Sequence, residues 1–136
     1  MNALWFDVDY KSSIPIYQQL VQGVKSAIVK GIILPRERLP SVRELAVKVT
    51  INPNTIAKAY QELEREGVIE TLQGRGTFVA APKEVVNNNE NKIKIKRMIE
   101  KLLIEAFHLQ IQEEEITALI QDSIKELYGR RGGNNE

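Results

Sequence analysis

The chain has no cysteine and a single histidine, His108, among 136 residues. Disulfides, thiolate metal sites and a cysteine nucleophile are therefore excluded, and one imidazole cannot build a multi-histidine metal site. No apolar run approaches the roughly 20 residues needed to span a bilayer, and no basic stretch followed by an apolar one opens the chain. A soluble cytoplasmic protein with no membrane partner is the expectation. An excess of charge of one sign is missing too: 19 Lys/Arg face 18 Asp/Glu, a net charge of +1. Bulk charge thus hardly argues for a polyanionic partner, and only the placement of individual cations can. An apolar fraction of 43% can supply a core. The length suits one medium domain, or a compact domain with an appendage.

What is present is punctuation. A short strand is expected over 4–8. A helix starts near Pro15, whose fixed φ suits a first helical position. Ile16, Leu20, Val24, Ala27 and Ile28 recur on one face of it, and Gly31 stops it. Residues 32–40 carry two prolines and read as an ordered loop. Ser41-Val42-Arg43-Glu44 is a capping box, in which the Ser and Glu side chains satisfy free backbone donors at a helix start. The short second helix buries Val42, Leu45, Ala46 and Val49. A tight break at Thr50-Ile51 follows. Asn52-Pro53 then caps and opens a third helix with Ile56, Ala59, Tyr60 and Leu63 inward, ended by Gly67. Two β-prone runs, 68–72 and 77–79, flank Gln73-Gly74-Arg75-Gly76 as a hairpin.

Residues 81–91 read as a linker between two units, the first spanning 1–80. Beyond it, a helix over 92–107 and a second running to about Tyr128 form a two-helix segment over 92–128, followed by a frayed tail over 129–136. Ile95, Ile99, Leu102, Leu103, Ala106 and Phe107 line one side of the first. Ile116, Leu119, Ile120, Ile124 and Leu127 line the second, whose first turn carries Glu113, Glu114 and Glu115. Two helices with one-sided apolar stripes cannot fold alone. They need the first unit or the same pair from a second chain as cover, and the second explains more, because it makes a homodimer, the commonest oligomer.

Three helices followed by a hairpin, with a sharp break between the second and third, is the order of a winged helix-turn-helix. The fold class is mainly α (α+β), with a short C-terminal helical dimerisation segment. The N-terminal end of a helix lying in the DNA major groove reaches base edges. On the third helix Asn54, Thr55 and Lys58 lie away from its apolar stripe. Asn can pair with adenine, Thr can serve base or phosphate, and Lys can meet guanine or phosphate; Asn52, by contrast, reads as a cap. Arg43 projects opposite the apolar face of the second helix, toward phosphate or an adjacent base. Arg36 and Arg38 stand beside the motif, where solvation and DNA contact are equally good accounts. Arg75 between Gly74 and Gly76 suits insertion into a narrow, electronegative minor groove. Neither His108 nor the three adjacent glutamates form a metal or catalytic constellation, no cofactor motif occurs, and an enzyme is not expected. The lysines of 92–101 read as a solvated face.

The segments Pro15-Ile16-Tyr17-Gln18-Gln19, Leu39-Pro40-Ser41-Val42-Arg43-Glu44-Leu45-Ala46, Asn52-Pro53-Asn54-Thr55 with Ala59-Tyr60, and Gly74-Arg75-Gly76-Thr77-Phe78-Val79 together resemble the GntR family of bacterial regulators. The short C-terminal segment resembles its YtrA-like branch. That resemblance implies repression at an operator as a homodimer, often of a membrane-transporter operon. It implies DNA contact by Ser41 and Arg43 of the Leu-Pro-Ser-x-Arg motif, by Asn54 and Thr55, and by Gly74, Arg75 and Gly76 of the wing. Three positions depart from the family pattern. Thr50 and Arg36 stand where glycine is usual, and Pro53 where other branches carry a base-contacting arginine, so their operator cannot be borrowed. The alternative is a winged-helix protein-interaction module without specific DNA binding, which would favour exposed apolar residues on the Arg43 face. An unknown small-molecule effector is compatible with this layout, with no pocket for it legible in the sequence.

Overall fold

The structure is a computed structural model, and it describes residues 7–83 and 88–132. The backbone divides into two compact units, one running to Pro82 and the other covering Lys83–Arg130. The fold is mainly α with a small β-sheet. Most of the strand expected over 4–8 lies outside the described residues, and Asp7 and Val8 within them are not in a strand.

The first unit opens with α1 (Ile16–Val29), which buries Leu20, Val21, Val24 and Ala27. Pro15 stands one residue earlier than expected, as the N-cap, and its carbonyl accepts from the amides of Gln18 and Gln19. The Gln19 side-chain amide holds the preceding segment, donating to the carbonyls of Asp9 and Ile14 and accepting from the Asp9 amide. Gly31 ends the helix at φ 73°, as its position predicts. The next segment contains an element that local pattern did not indicate: β1 (Arg38–Leu39), only two residues long.

Ser41 caps α2 (Val42–Val49), its hydroxyl accepting from the Glu44 amide at 3.1 Å. Asn52 caps α3 (Pro53–Arg65) in the same way, accepting from the Asn54 amide at 2.8 Å. Between them Thr50 adopts φ 55° and ψ 50°, and its amide donates to the Ala46 carbonyl. The left-handed turn is thus kept with a β-branched residue in the place that favours glycine. Arg36, at φ 67°, is left-handed as well.

The inward face of α3 is the centre of the core. Ile56, Ala59 and Leu63 are fully buried, packed with Leu20 and Val24 of α1 and Leu45 of α2. The Tyr60 hydroxyl donates to the Pro40 carbonyl at 2.6 Å inside this core. Burial, with a smaller push from the Glu44 carboxylate, holds that hydroxyl far above its ordinary pKa of 10.0, so it remains a donor. The hairpin of β2 (Ile69–Leu72) and β3 (Gly76–Val79) follows α3. The sheet is antiparallel in the order β1-β3-β2, with Arg38 opposite Phe78 and Leu39 opposite Thr77. Ile69 and Val79 close the core from the sheet side.

The second unit holds α4 (Asn88–His108) and α5 (Glu113–Gly132). Helix α4 begins four residues ahead of the expected Lys92, and α5 continues past Tyr128. Residues 84–87 of the expected linker and 133–136 of the expected tail lie outside the described residues. At the elbow Gln110 is left-handed and the Ile111 amide donates to the Ala106 carbonyl.

A non-glycine residue held in the left-handed region costs about 1–3 kcal/mol. Thr50→Gly is therefore expected to raise the unfolding free energy by about 1 kcal/mol after the added chain entropy of glycine is subtracted. Urea denaturation followed by circular dichroism checks this, and a destabilised variant would show that the Thr50 side chain contributes more than its backbone strain costs.

Candidate nucleic-acid interface

The residues that the sequence singles out for DNA contact converge on three local structures of the first unit: the start of α2, the start of α3 and the hairpin tip. Arg43 occupies the first turn of α2 and is exposed, while Ser41 is half-buried because its hydroxyl is committed to the cap. Asn52 is committed in the same sense, which leaves Asn54 exposed and Thr55 half-exposed at the N-terminal end of α3. That end also carries the positive end of the helix dipole, which suits an anionic partner.

Lys58 is exposed one turn further on, with its ammonium 4.0 Å from the centroid of the Tyr17 ring. The lysine is therefore held toward α1 by a cation–π contact, worth roughly 0.5–1 kcal/mol at an exposed site. The Gln18 amide donates to the Tyr17 hydroxyl at 3.0 Å and helps to place the ring. Tyr17 lies on α1, 41 positions before Lys58 in the chain. No local signal links it to Lys58.

Arg75 is exposed at the wing tip, where its amide donates to the Leu72 carbonyl at 2.9 Å and closes the turn. Gly74 and Gly76 flank it at φ 79° and 118°, a conformation that side chains with a Cβ rarely adopt. Gly76 has a second reason to be glycine. The Arg38 side chain lies over it, and a Cβ there would stand 3.0 Å from Arg38 Nε. Pairing of β1 with β3 produces this contact and brings Arg38 to the base of the wing. Arg36 sits at the far end of β1, where its amide donates to the Val79 carbonyl.

The electrostatics separate these cations from the rest. Among the described residues the ion pairs are Lys25 with Glu66, at 2.6 Å, and Arg65 with Glu62. Hydrogen bonding by Arg65, chiefly, lowers the Glu62 pKa. Both pairs involve the second half of α3, away from its first turn. Arg36, Arg38, Arg43 and Arg75 have no carboxylate within 4.0 Å among the described residues. A phosphate approaching them would displace water and not an internal partner. One large apolar side chain is exposed on the Arg43 helix, Val47 at 77%.

The family profile of bacterial regulatory proteins of the gntR family matches residues 16–79. Over 122 residues the chain is 41% identical to the HTH-type transcriptional repressor YtrA of Bacillus subtilis (strain 168), covering 90% of this chain and 94% of that protein. A crystal structure described as a transcriptional antiterminator from Listeria monocytogenes EGD-e superposes with a TM-score of 0.83 at 35% identity, over 94% of this chain and 95% of that one. The DNA-binding domain of AraR, solved in complex with operator ORX1, matches 55% of this chain and 96% of its own at a TM-score of 0.50 and 32% identity.

Adding a methyl group at Gly76 must overcome both an unfavourable φ and the Arg38 side chain, whereas Gly74 has no heavy atom within 4 Å of the new position. Gly76→Ala is expected to cost about 2 kcal/mol of stability and Gly74→Ala about 1 kcal/mol. Equal losses in urea denaturation would show that Arg38 yields to the methyl group without cost.

Proposed function

The chain belongs to the GntR family of bacterial regulatory proteins, and from that premise we propose that it is a homodimeric repressor that grips a palindromic operator through two winged units. That it is a DNA-binding transcriptional regulator follows from the family; the operator geometry, the dimer and the residue roles are the proposal. In it, Asn54 and Thr55 at the start of α3 read base edges in the major groove. Arg43 meets phosphate or the neighbouring base, and Arg75 enters the minor groove from the wing. Ser41 keeps the cap that aims Arg43. Gly74 and Gly76 let the wing backbone approach the duplex. Arg36 and Arg38 add phosphate contacts along the same unit, and Lys58, stacked on Tyr17, is better suited to a flanking phosphate than to a base. The observation that carries this is a set of arginines without carboxylate partners on β1, α2 and the wing of the same unit that exposes the start of α3. On α2 Val47 is the one exposed large apolar side chain, too little for a docking patch on the Arg43 helix.

The second unit supports the dimer. Ala106, at 6% exposure, is its one buried residue among those described, and Ile116 is half-buried. Ile95, Ile99, Leu102, Leu103, Phe107, Leu119, Ile120 and Ile124 are all exposed, Phe107 to 77%. So much apolar surface on two helices calls for a covering partner, and a second copy would present two α3 helices to half-sites about 34 Å apart. Concave sites occur at the elbow and between the helices. They belong to the surface a second copy would cover, so they do not argue for a small-molecule effector. Control of a transporter operon rests on the likeness to the YtrA-like branch.

Affinity for DNA from the chain's own promoter region, measured by fluorescence anisotropy, is expected to fall steeply as salt rises. Arg43→Ala combined with Arg75→Ala is expected to weaken it about 100-fold. Affinity that ignores both salt and the double substitution would overturn the DNA-contact assignment. Leu102→Glu combined with Ile120→Glu is expected to give a monomer in sedimentation with operator affinity reduced by at least about tenfold, since one half-site remains per molecule. A variant that stays dimeric would place the interface elsewhere.

A further inference from the structure

The charges along α4 and α5 are distributed unequally about their apolar stripes. With 100° between successive residues, the α4 stripe of Ile95, Ile99, Leu102 and Ala106 is flanked by Lys94 and Lys101 on one side and by Lys92 and Lys96 on the other. Glu105 and Glu100 are the acids on those flanks, against four lysines. The α5 stripe of Ile116, Leu119, Ile120, Ser123 and Leu127 is flanked by Glu115, Asp122 and Glu126 on one side and by Glu113 on the other. Lys125 falls on the back of the helix. Lys94 and Lys101 are seven residues apart, as are Glu115 and Asp122, the spacing at which flanking charges of paired helices meet.

These complementary flanks are not used within the chain. Among the described residues no ion pair joins α4 to α5 or forms along either helix. The two helices approach each other at the elbow, around Leu103, Ala106, Ile111 and Ile116. Beyond it, a groove of about 440 Å³ lined by Leu102, Leu119, Ile120, Ile124 and Leu127 stands open.

We infer that the groove and the α4 stripe are occupied in trans: α4 of one copy lies against α5 of the second, and the basic flanks of the one meet the acidic flank of the other. The inference rests on the homodimer proposed above and adds which helix takes which. A pairing of α4 with α4 would set Lys94 and Lys101 against their own copies, and α5 with α5 would oppose carboxylates. Like charges at flanking positions disfavour both, so the flanks act as the partner-selecting element of the interface. The pairing also returns each copy's charges twice by symmetry, because an isologous contact repeats every pair.

Two variants test this in the full chain, with circular dichroism confirming that each stays helical. One is Lys94→Glu with Lys101→Glu; the other is Asp122→Lys with Glu126→Lys. The dimer dissociation constant from sedimentation equilibrium at low salt is expected to rise at least about tenfold for each variant alone, since four flanking pairs turn repulsive. An equimolar mixture is expected to form a heterodimer of near wild-type affinity, and so is a chain carrying all four substitutions as a homodimer. If the lysine variant alone dimerises as the wild type does, the α4–α5 pairing is overturned. If the four-substitution chain recovers but the mixture does not, the charges pair within one chain and the trans arrangement is overturned. A wild-type chain that stays monomeric at every concentration would remove the homodimer itself, a failure distinct from either of these.

Discussion

The buried hydrogen bond from the Tyr60 hydroxyl to the Pro40 carbonyl links α3 to the segment that joins β1 to α2 in the first unit. Pro40 lies between Leu39, which pairs with the wing through β1 and β3, and Ser41, which caps α2. Tyr60 sits on α3, two turns from the residues proposed to read bases. One side chain therefore helps to set the position of α2 and of the wing relative to α3. The bond is made in a low-dielectric core, where an unpaired carbonyl would cost a few kcal/mol, so the loop has little freedom to leave. Its donor state is secure, because burial opposes ionisation of the phenol.

Around that fixed point the unit accepts local strain. Thr50 and Arg36 both hold left-handed conformations that would cost glycine little. At Thr50 the reason is geometric. The α2 helix must end and α3 must begin within three residues, and the Asn52 cap with Pro53 fixes where α3 starts. The amides of Arg36 and Val79 link that loop to the third strand, so the backbone there follows the sheet and not local preference. The strain at Arg36 buys a cation without a carboxylate partner beside the wing, in a protein whose net charge offers almost nothing toward DNA. A charge near zero with local clusters of free arginine gives contact without a broad positive field.

The second unit follows the opposite logic. Its helices are well formed, with a left-handed residue at the elbow and Thr117 and Ser123 hydroxyls bonded back to carbonyls one turn earlier. Yet they bury almost none of their apolar surface. Isolated amphipathic helices draw most of their stability from packing and little from propensity. In the proposed homodimer such a unit is completed by its partner, which would couple its folding to protein concentration.

Much of this was legible locally. The caps at Ser41 and Asn52, the stops at Gly31 and Gly67, the glycine-flanked hairpin tip and the inward faces of the helices all rest on contacts within a turn or two of chain. Residue type and spacing determine such contacts directly. At Thr50 the β-branched residue argues for a local departure of the turn, and the structure keeps the left-handed conformation instead. Four features were not legible locally: the two-residue strand at Arg38, its guanidinium over Gly76, the ammonium of Lys58 on the Tyr17 ring, and the bond from Tyr60 to Pro40. Each joins residues twenty or more positions apart, and a two-residue strand exists only because a partner strand lies beside it. The sequence by itself determined the helices, their caps and the hairpin, and which polar side chains lie off the apolar faces. The tertiary structure alone decided which of those side chains are held by neighbours, since that depends on packing between elements and not on periodicity within one.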